Sequence, residues 1–211
     1  MINAGATCED IDPVRFITNR GTGRMGYALA EEALERGAEV VLVSGPSNLS
    51  PPHGCEFISV RSADEMCRVM LGRQDDVDAV IGAAAVGDFV PLNAYSQKIK
   101  KEVSAETFFL ELGLTPDIIK TLGQSKKDKQ VIVGFAAETE NVIENARKKM
   151  VDKNLDFIVA NDVTLKGAGF EVDTNIITLI TKDEAISYPL LSKKEVAEVI
   201  LDKLAEVFEN L

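Results

Sequence analysis

Histidine is almost missing from this chain. Among 211 residues there is one, His53, beside Pro51 and Pro52. A Ser-His-Asp triad or a multi-histidine metal centre has almost nothing to be built from. Tryptophan is absent, and nothing suggests an aromatic stacking platform. The three cysteines, Cys8, Cys55 and Cys67, are odd in number and no two stand at metal-ligand spacing. They read as reduced thiols of a cytosolic protein. Long apolar runs are also missing. The longest, around residues 79–86, is interrupted by Gly82 and is far too short to cross a bilayer. No basic stretch followed by an apolar one opens the chain, so no secretory signal is visible. Positive charge is scarce, with 23 Lys and Arg against 34 Asp and Glu and a net charge of −11. Nucleic acid is therefore a poor partner, because phosphate neutralisation needs a basic face. Against that background any cluster of lysines stands out, since a phosphate ligand would need positive charge concentrated locally.

What is present suffices for a core: 45% of residues are hydrophobic and 27% charged. There are no repeats, low-complexity stretches or clear linkers, so residues 1–211 read as one domain. Short apolar runs alternate with helical patterns. A strand stub is expected at 2–4, a helix at 23–36 stopped by Gly37, a strand at 40–43, a helix at 62–71 capped by Ser62, and a strand at 77–84. Residues 89–97 show turn residues without a period, and 103–111 are ambiguous. Thr115 and Pro116 read as the cap and first turn of a short helix. Strands at 131–135 and 157–160 flank a helix at 138–153. A β-hairpin is expected over 175–188. Ser192 and Glu195 form a capping box that opens a last helix. The pattern predicts an α/β fold: a Rossmann-like, doubly wound, mostly parallel sheet with helices on both faces, plus a C-terminal β-hairpin and helix. Ligands are then expected at the carboxyl ends of the strands.

Five groups of residues invite a chemical reading. Gly21-Thr22-Gly23-Arg24-Met25-Gly26 is a G-x-G-x-x-G sequence, which suits a phosphate at a helix N-terminus. It stands well after the first strand, and no acidic residue follows the second strand to hold a ribose. A plain glycine turn into a helix is the competing reading. The long connection 12–19 carries Arg15 and Asn19 and reads either as a ligand loop or as a packed surface loop. Gly82-Ala83-Ala84-Ala85-Val86-Gly87-Asp88 ends a strand in small side chains and then presents a carboxylate, suited to a ligand lying on the backbone. Close sheet–helix packing would read the same way. Lys98-Ile99-Lys100-Lys101 is the densest basic cluster. As a strand or flap it would set Lys98 and Lys100 on one face, whereas such runs are usually solvated surface. Lys149 and Lys153 lie four apart on one helix, where an anion between them would relieve their repulsion. Two exposed lysines are an equally good account.

Taken in order, several stretches resemble one family, the phosphopantothenoylcysteine synthetases (phosphopantothenate–cysteine ligases). They are Ala4-Gly5-Ala6-Thr7, the run from Ile11 to Asn19, Gly23-Arg24-Met25-Gly26, Leu42-Val43-Ser44-Gly45-Pro46, Ala83 to Phe89, Lys98 to Lys101, Pro116-Asp117-Ile118, Val133 to Thr139, and Ala160-Asn161-Asp162. Each is weak alone, and jointly they cover nearly the whole chain. The resemblance implies a Rossmann-like homodimer that acts in two steps. The carboxylate of 4′-phosphopantothenate attacks the α-phosphate of a nucleotide, CTP rather than ATP, and pyrophosphate leaves. The amine of L-cysteine then attacks the acyl-nucleotidylate. Mg2+ would travel on the triphosphate.

By motif, the resemblance assigns Asn19 and Lys98 to catalysis. It assigns the nucleotide to Gly21, Thr22, Gly23, Gly82, Ala83, Ala84, Asp88, Lys98, Pro116, Asp117, Ile118, Ile119, Phe135, Lys149 and Lys153. It assigns the acyl substrate to Asn19, Ala84, Ala85 and Asp88. Metal ligands are not identified. Gly21 and Thr22 replace two serines, Arg24 replaces a lysine, and Gly87 replaces alanine or serine. The resemblance further implies a cytoplasmic protein without membrane or nucleic-acid partners. It also suggests the carboxyl-terminal half of a fusion with a flavin-dependent phosphopantothenoylcysteine decarboxylase domain, or an associate of one. Two other readings remain at this point. One is an NAD(P)-dependent reductase, which the glycine motif allows. It lacks a Tyr-x-x-x-Lys pair, because Tyr95 and Lys98 are only three apart. The other is a non-catalytic nucleotide-binding domain.

Overall fold

The computed structural model describes residues 1–101, 107–162, 164, 165, 167, 169 and 172–211. In chain order the elements are β1 (Ile2–Ala4), β2 (Cys8–Asp10), β3 (Phe16–Thr18), α1 (Arg24–Glu35), β4 (Val41–Ser44), β5 (Glu56–Ser59), α2 (Ala63–Arg73), β6 (Ala79–Gly82), β7 (Phe89–Pro91) and β8 (Leu112–Leu114), with a short 3-10 turn Gln74–Asp76 after α2. Then come α3 (Ile118–Gln124), β9 (Val131–Glu138), α4 (Val142–Asp152), β10 (Phe157–Asp162), β11 (Thr174–Asn175), β12 (Ile177–Ile180), β13 (Ala185–Ser187), β14 (Leu191–Ser192) and α5 (Lys193–Glu209).

The central sheet has the order β13-β12-β10-β9-β6-β1-β4-β5. Its strands from β5 across to β10 are parallel, while β12 and β13 are antiparallel additions. Read from β5, the parallel part runs third, second, first, fourth, fifth, sixth in chain order. That is the doubly wound arrangement, and its direction reverses between β1 and β6. The period-two geometry of a strand divides the apolar residues between two faces. Ile2, Ala4, Leu42, Ile81, Val133 and Phe157 pack against α1 and α5 through Leu29, Ala30, Val196 and Ile200. Val43, Val80, Ile132 and Ile158 pack against α2, α3 and α4 through Met66, Met70, Leu122 and Met150. Parallel strands buried on both faces read as continuous apolar runs, which is why 131–133 and 157–160 were legible.

Several local expectations are corrected. The short helix is capped by Asp117, whose carboxylate accepts from Lys120 N at 3.1 Å, and not by Thr115. Thr115 is engaged elsewhere: its N donates to Asp88 O at 3.1 Å and its Oγ1 to Gly87 O at 2.5 Å. The helix expected from 138 begins at Val142. Strand β9 continues to Glu138 because Ala137 and Glu138 remain in register with Asn161 and Asp162 of β10. Residues 92–101 form no strand, so the common face expected for Lys98 and Lys100 is not set by strand geometry. Of the ambiguous stretch 103–111, residues 103–106 lie outside the described residues. No helix among the described residues is long and apolar enough to cross a membrane.

Candidate functional site

The site begins where β1 and β6 end. Asn3, 1% exposed in the middle of β1, uses its Oδ1 to accept from Ala84 N at 2.8 Å. Its Nδ2 meets the sulfurs of Met66 and Met70 at 3.6 and 3.3 Å. A buried amide is tolerated only with partners, and here the partner is the backbone just beyond β6. The chains continue side by side. Ala85 N donates to Gly5 O at 2.8 Å, and Gly87 N to Thr7 Oγ1 at 2.9 Å. The small residues Ala83, Ala84 and Ala85 thus form a fixed floor.

Two clefts open on either side of this floor, and both are lined by Ala84, Val86 and Phe135. The first, about 480 Å³, is bounded by Gly5, Asn19, the loop Gly21 to Arg24, Ala83 to Val86, Phe135, Asn161, Asn175 and Lys193. The second, about 280 Å³, is bounded by Gly82, Ala84, Asp88, Thr115 to Ile119, Gly134, Phe135, Lys149 and Lys153. The first straddles the topological switch point between β1 and β6, where the sheet fold leaves a crevice, and the second lies beside it over β6 and β9.

The connection 12–19 is the turn and second strand of a hairpin. Strands β2 and β3 pair antiparallel, and Thr18 Oγ1 donates to Thr7 O at 2.7 Å. The hairpin delivers Asn19 over the floor, where its Nδ2 donates to Val86 O at 2.9 Å. Gly23 then caps α1 with φ of 88°, a conformation costly for a residue with a side chain. Among the described residues no side chain caps α1 at this end, and uncapped first-turn amides suit an anion. Gly26 serves packing: a Cβ there would stand 2.5 Å from Ala4 Cβ and 2.9 Å from Asn3 O.

Cations border the first cleft. Lys193 is 7% exposed, and its Nζ donates to Gly169 O at 3.3 Å and to Val172 O. Burial pushes its pKa down, the neighbouring Arg24 pushes it further, and Asp173 opposes both. Arg24 in turn pairs with Asp173. In the second cleft the two predicted lysines are not bridged by a common anion. Lys149 pairs with Glu138 at 2.6 Å and Lys153 with Asp117 at 3.0 Å. Each ammonium group thus has its own carboxylate on the cleft wall.

Of the residues singled out from sequence, Asn19, Gly21, Thr22, Gly23, Ala83, Ala84, Ala85 and Phe135 meet in the first cleft. Gly82, Ala84, Asp88, Pro116, Asp117, Ile118, Ile119, Phe135, Lys149 and Lys153 meet in the second. Lys98 lines neither; it is exposed on the segment after β7. Sequence reasoning overlooked Asn3, Lys193, Asp173, Asn175 and Glu138 as cleft or support residues. Only Asn3 carried a usable signal, as a polar residue between the apolar Ile2 and Ala4 of a core strand.

Residues 1–208 match the family described as DNA/pantothenate metabolism flavoprotein C-terminal domain. The coenzyme A biosynthesis bifunctional protein CoaBC of Bacillus subtilis (strain 168) is 51% identical over 207 residues, covering 97% of this chain and 50% of that protein. The protein of the same name from Vibrio parahaemolyticus serotype O3:K6 is 44% identical over 207 residues, covering 98% of this chain and 52% of its own. The chain thus spans about half the length of these curated relatives. Among solved structures, the C-terminal domain of a CoaBC protein superposes with a TM-score of 0.84 at 46% identity, covering 100% of this chain and 95% of that one.

Proposed function

Because the chain belongs to the family of DNA/pantothenate metabolism flavoprotein C-terminal domains, we propose that it joins 4′-phosphopantothenate to L-cysteine in coenzyme A biosynthesis. The observation that carries this reading is the pair of clefts sharing one floor of small residues. A ligation through an acyl-nucleotidylate needs two anionic substrates brought to one reacting centre, and side-by-side clefts supply that arrangement. The second cleft takes the nucleotide, CTP in preference to ATP. Lys149 and Lys153 line it beside the nucleoside, and Phe135 and Pro116 flank the base. The first cleft takes the phosphates of that nucleotide at Gly21, Thr22 and Gly23 and the acyl end of 4′-phosphopantothenate at Asn19, Ala84 and Ala85.

In the first step a carboxylate oxygen of the substrate bonds to the α-phosphorus and the bond to pyrophosphate breaks. In the second, the cysteine amine bonds to the acyl carbon, CMP leaves and the amine loses a proton. No side-chain nucleophile is consumed. The chain contributes proximity and charge stabilisation. Asn19, amide-anchored over Ala85 and Val86, orients the acyl group for the amine. Lys98, which lines neither cleft, would supply positive charge to the nucleotide by closing over it as a flap. Mg2+ would neutralise triphosphate charge, a role that needs few protein ligands. The exposed carboxylate of Asp88 on the second cleft suits it.

We further propose a cytoplasmic homodimer. The ribbon β7–β8 and its surroundings leave Phe89, Leu92, Phe109 and Leu114 exposed at 51%, 61%, 86% and 80%, large apolar side chains of the kind that mark an interaction surface when they cluster. Fusion to, or association with, a flavin-dependent decarboxylase would supply the next reaction on the product. Thermal unfolding tests the reading. A ligand of the folded state raises the transition temperature, so CTP should raise it more than ATP does. A rise with NADP and none with CTP would favour the reductase reading.

A further inference from the structure

The segment carrying Lys98 has no regular structure, yet it is tied down at the β2–β3 turn. Tyr95 N donates to Ile11 O at 2.8 Å. Asp12, 2% exposed, divides its two oxygens. Oδ1 accepts from Val14 N and Arg15 N, each at 2.8 Å, and so builds its own turn. Oδ2 accepts from Arg15 Nη1 at 2.5 Å and from Ile99 N at 3.0 Å. Arg15 Nη1 also donates to Ile99 O at 3.3 Å. Both backbone polar groups of Ile99 are therefore held by the Asp12–Arg15 pair. Ile99 is half-buried, while Lys98 and Lys100 on either side are exposed. A buried carboxylate is stable only when its acceptor sites are filled. Here the last one is filled from a segment 87 residues away.

We propose that Asp12 is a positioning residue for Lys98: with Arg15 it clamps the main chain of Ile99 and so fixes where the adjacent ammonium group starts from. This rests on the role given to Lys98 above. Without the clamp, Lys98 would have to be ordered at each turnover, at the entropic cost of fixing several backbone angles. Asparagine at position 12 keeps one carbonyl oxygen for the turn, but its NH2 meets the N–H donors of Ile99 and Arg15. The turn survives and the clamp is lost. Serine keeps an acceptor for the turn and cannot reach Ile99.

The test uses Asp12→Asn and Asp12→Ser in the full chain, with trypsin under native conditions and with steady-state assays. Tryptic cleavage after Lys98 and Lys100 should speed up at least about tenfold in both variants, since opening exposes the bonds. Turnover should fall at least about tenfold with a smaller change in nucleotide KM. In a Lys98→Ala background Asp12→Asn should add no further loss, because the two residues act as one unit. Unchanged cleavage in both variants overturns the clamp. Faster cleavage with wild-type turnover, or additive losses in the double variant, overturns the link to Lys98. A wild-type chain that releases no pyrophosphate overturns the reading of the function instead, and the tryptic pattern then still decides the clamp.

Discussion

Under the proposed function, single residues act by where the backbone holds them. Lys98 is exposed and contributes little to the core, so Lys98→Ala should fold normally. Stabilisation of transition-state charge by one such group is worth about 10²–10³ in rate, and turnover should fall by about that factor in a pyrophosphate-release assay. If Asn19 holds the acyl intermediate for the cysteine amine, Asn19→Asp should damage amide formation more than pyrophosphate release, and a carboxylate there would also repel the phosphates nearby. Equal losses in both half-reactions would remove Asn19 from the second step.

Asp12 also has a pH signature. Burial pushes its carboxyl up, but the N–H groups of Ile99, Val14 and Arg15 and the Arg15 charge outweigh burial and hold it down at about 2, against an ordinary 3.8. A depressed folded-state pKa gives stability that is complete above the unfolded value and lost as pH falls through the folded one. The difference in melting temperature between wild type and Asp12→Asn should therefore narrow as the pH drops from about 4 towards 2. A constant difference would contradict the pairing. Residues such as Asn19 and Gly21 were legible because a motif names them. Lys193 was not: a lysine opening a helix looks solvated, and only tertiary packing buries it to 7% exposure.

Among the elements, those that close-pack were the clearest in sequence. Gly26 sits where α1 crosses β1, and the clash of a Cβ with Ala4 and Asn3 O predicts that Gly26→Ala costs about 1–3 kcal/mol, the range for overpacking. Chemical denaturation measures it. Ser192 and Glu195 complete a capping box on α5, so Ser192→Ala should cost about 1 kcal/mol. Less legible were the two-stranded ribbons and the edge strand β5. Glu56, Phe57 and Ser59 of β5 are exposed, so no apolar run marks the strand. The pairs β2–β3 and β7–β8 involve only three residues a side, too short for a period-two pattern to stand out. These ribbons are nonetheless what carry Asn19 and flank the Lys98 segment. The parts that shape the site were thus harder to read than the parts that shape the core.

At the scale of the whole molecule, the strand order places the reversal between β1 and β6; the first cleft opens there and the second beside it, over β6 and β9. That order could be anticipated from alternating strands and helices, since right-handed crossovers leave few topologies. The division into two clefts could not, because it depends on Asn3 and Thr7 fixing the loop after β6. These clefts are proposed to hold a nucleotide and the acyl donor, 4′-phosphopantothenate, for one ligation. The most direct measurement follows pyrophosphate release with CTP while 4′-phosphopantothenate and cysteine are withheld in turn. Release should require 4′-phosphopantothenate, proceed through one turnover without cysteine, and become catalytic when cysteine is added. Release that is indifferent to 4′-phosphopantothenate, or none with any nucleotide, would contradict it.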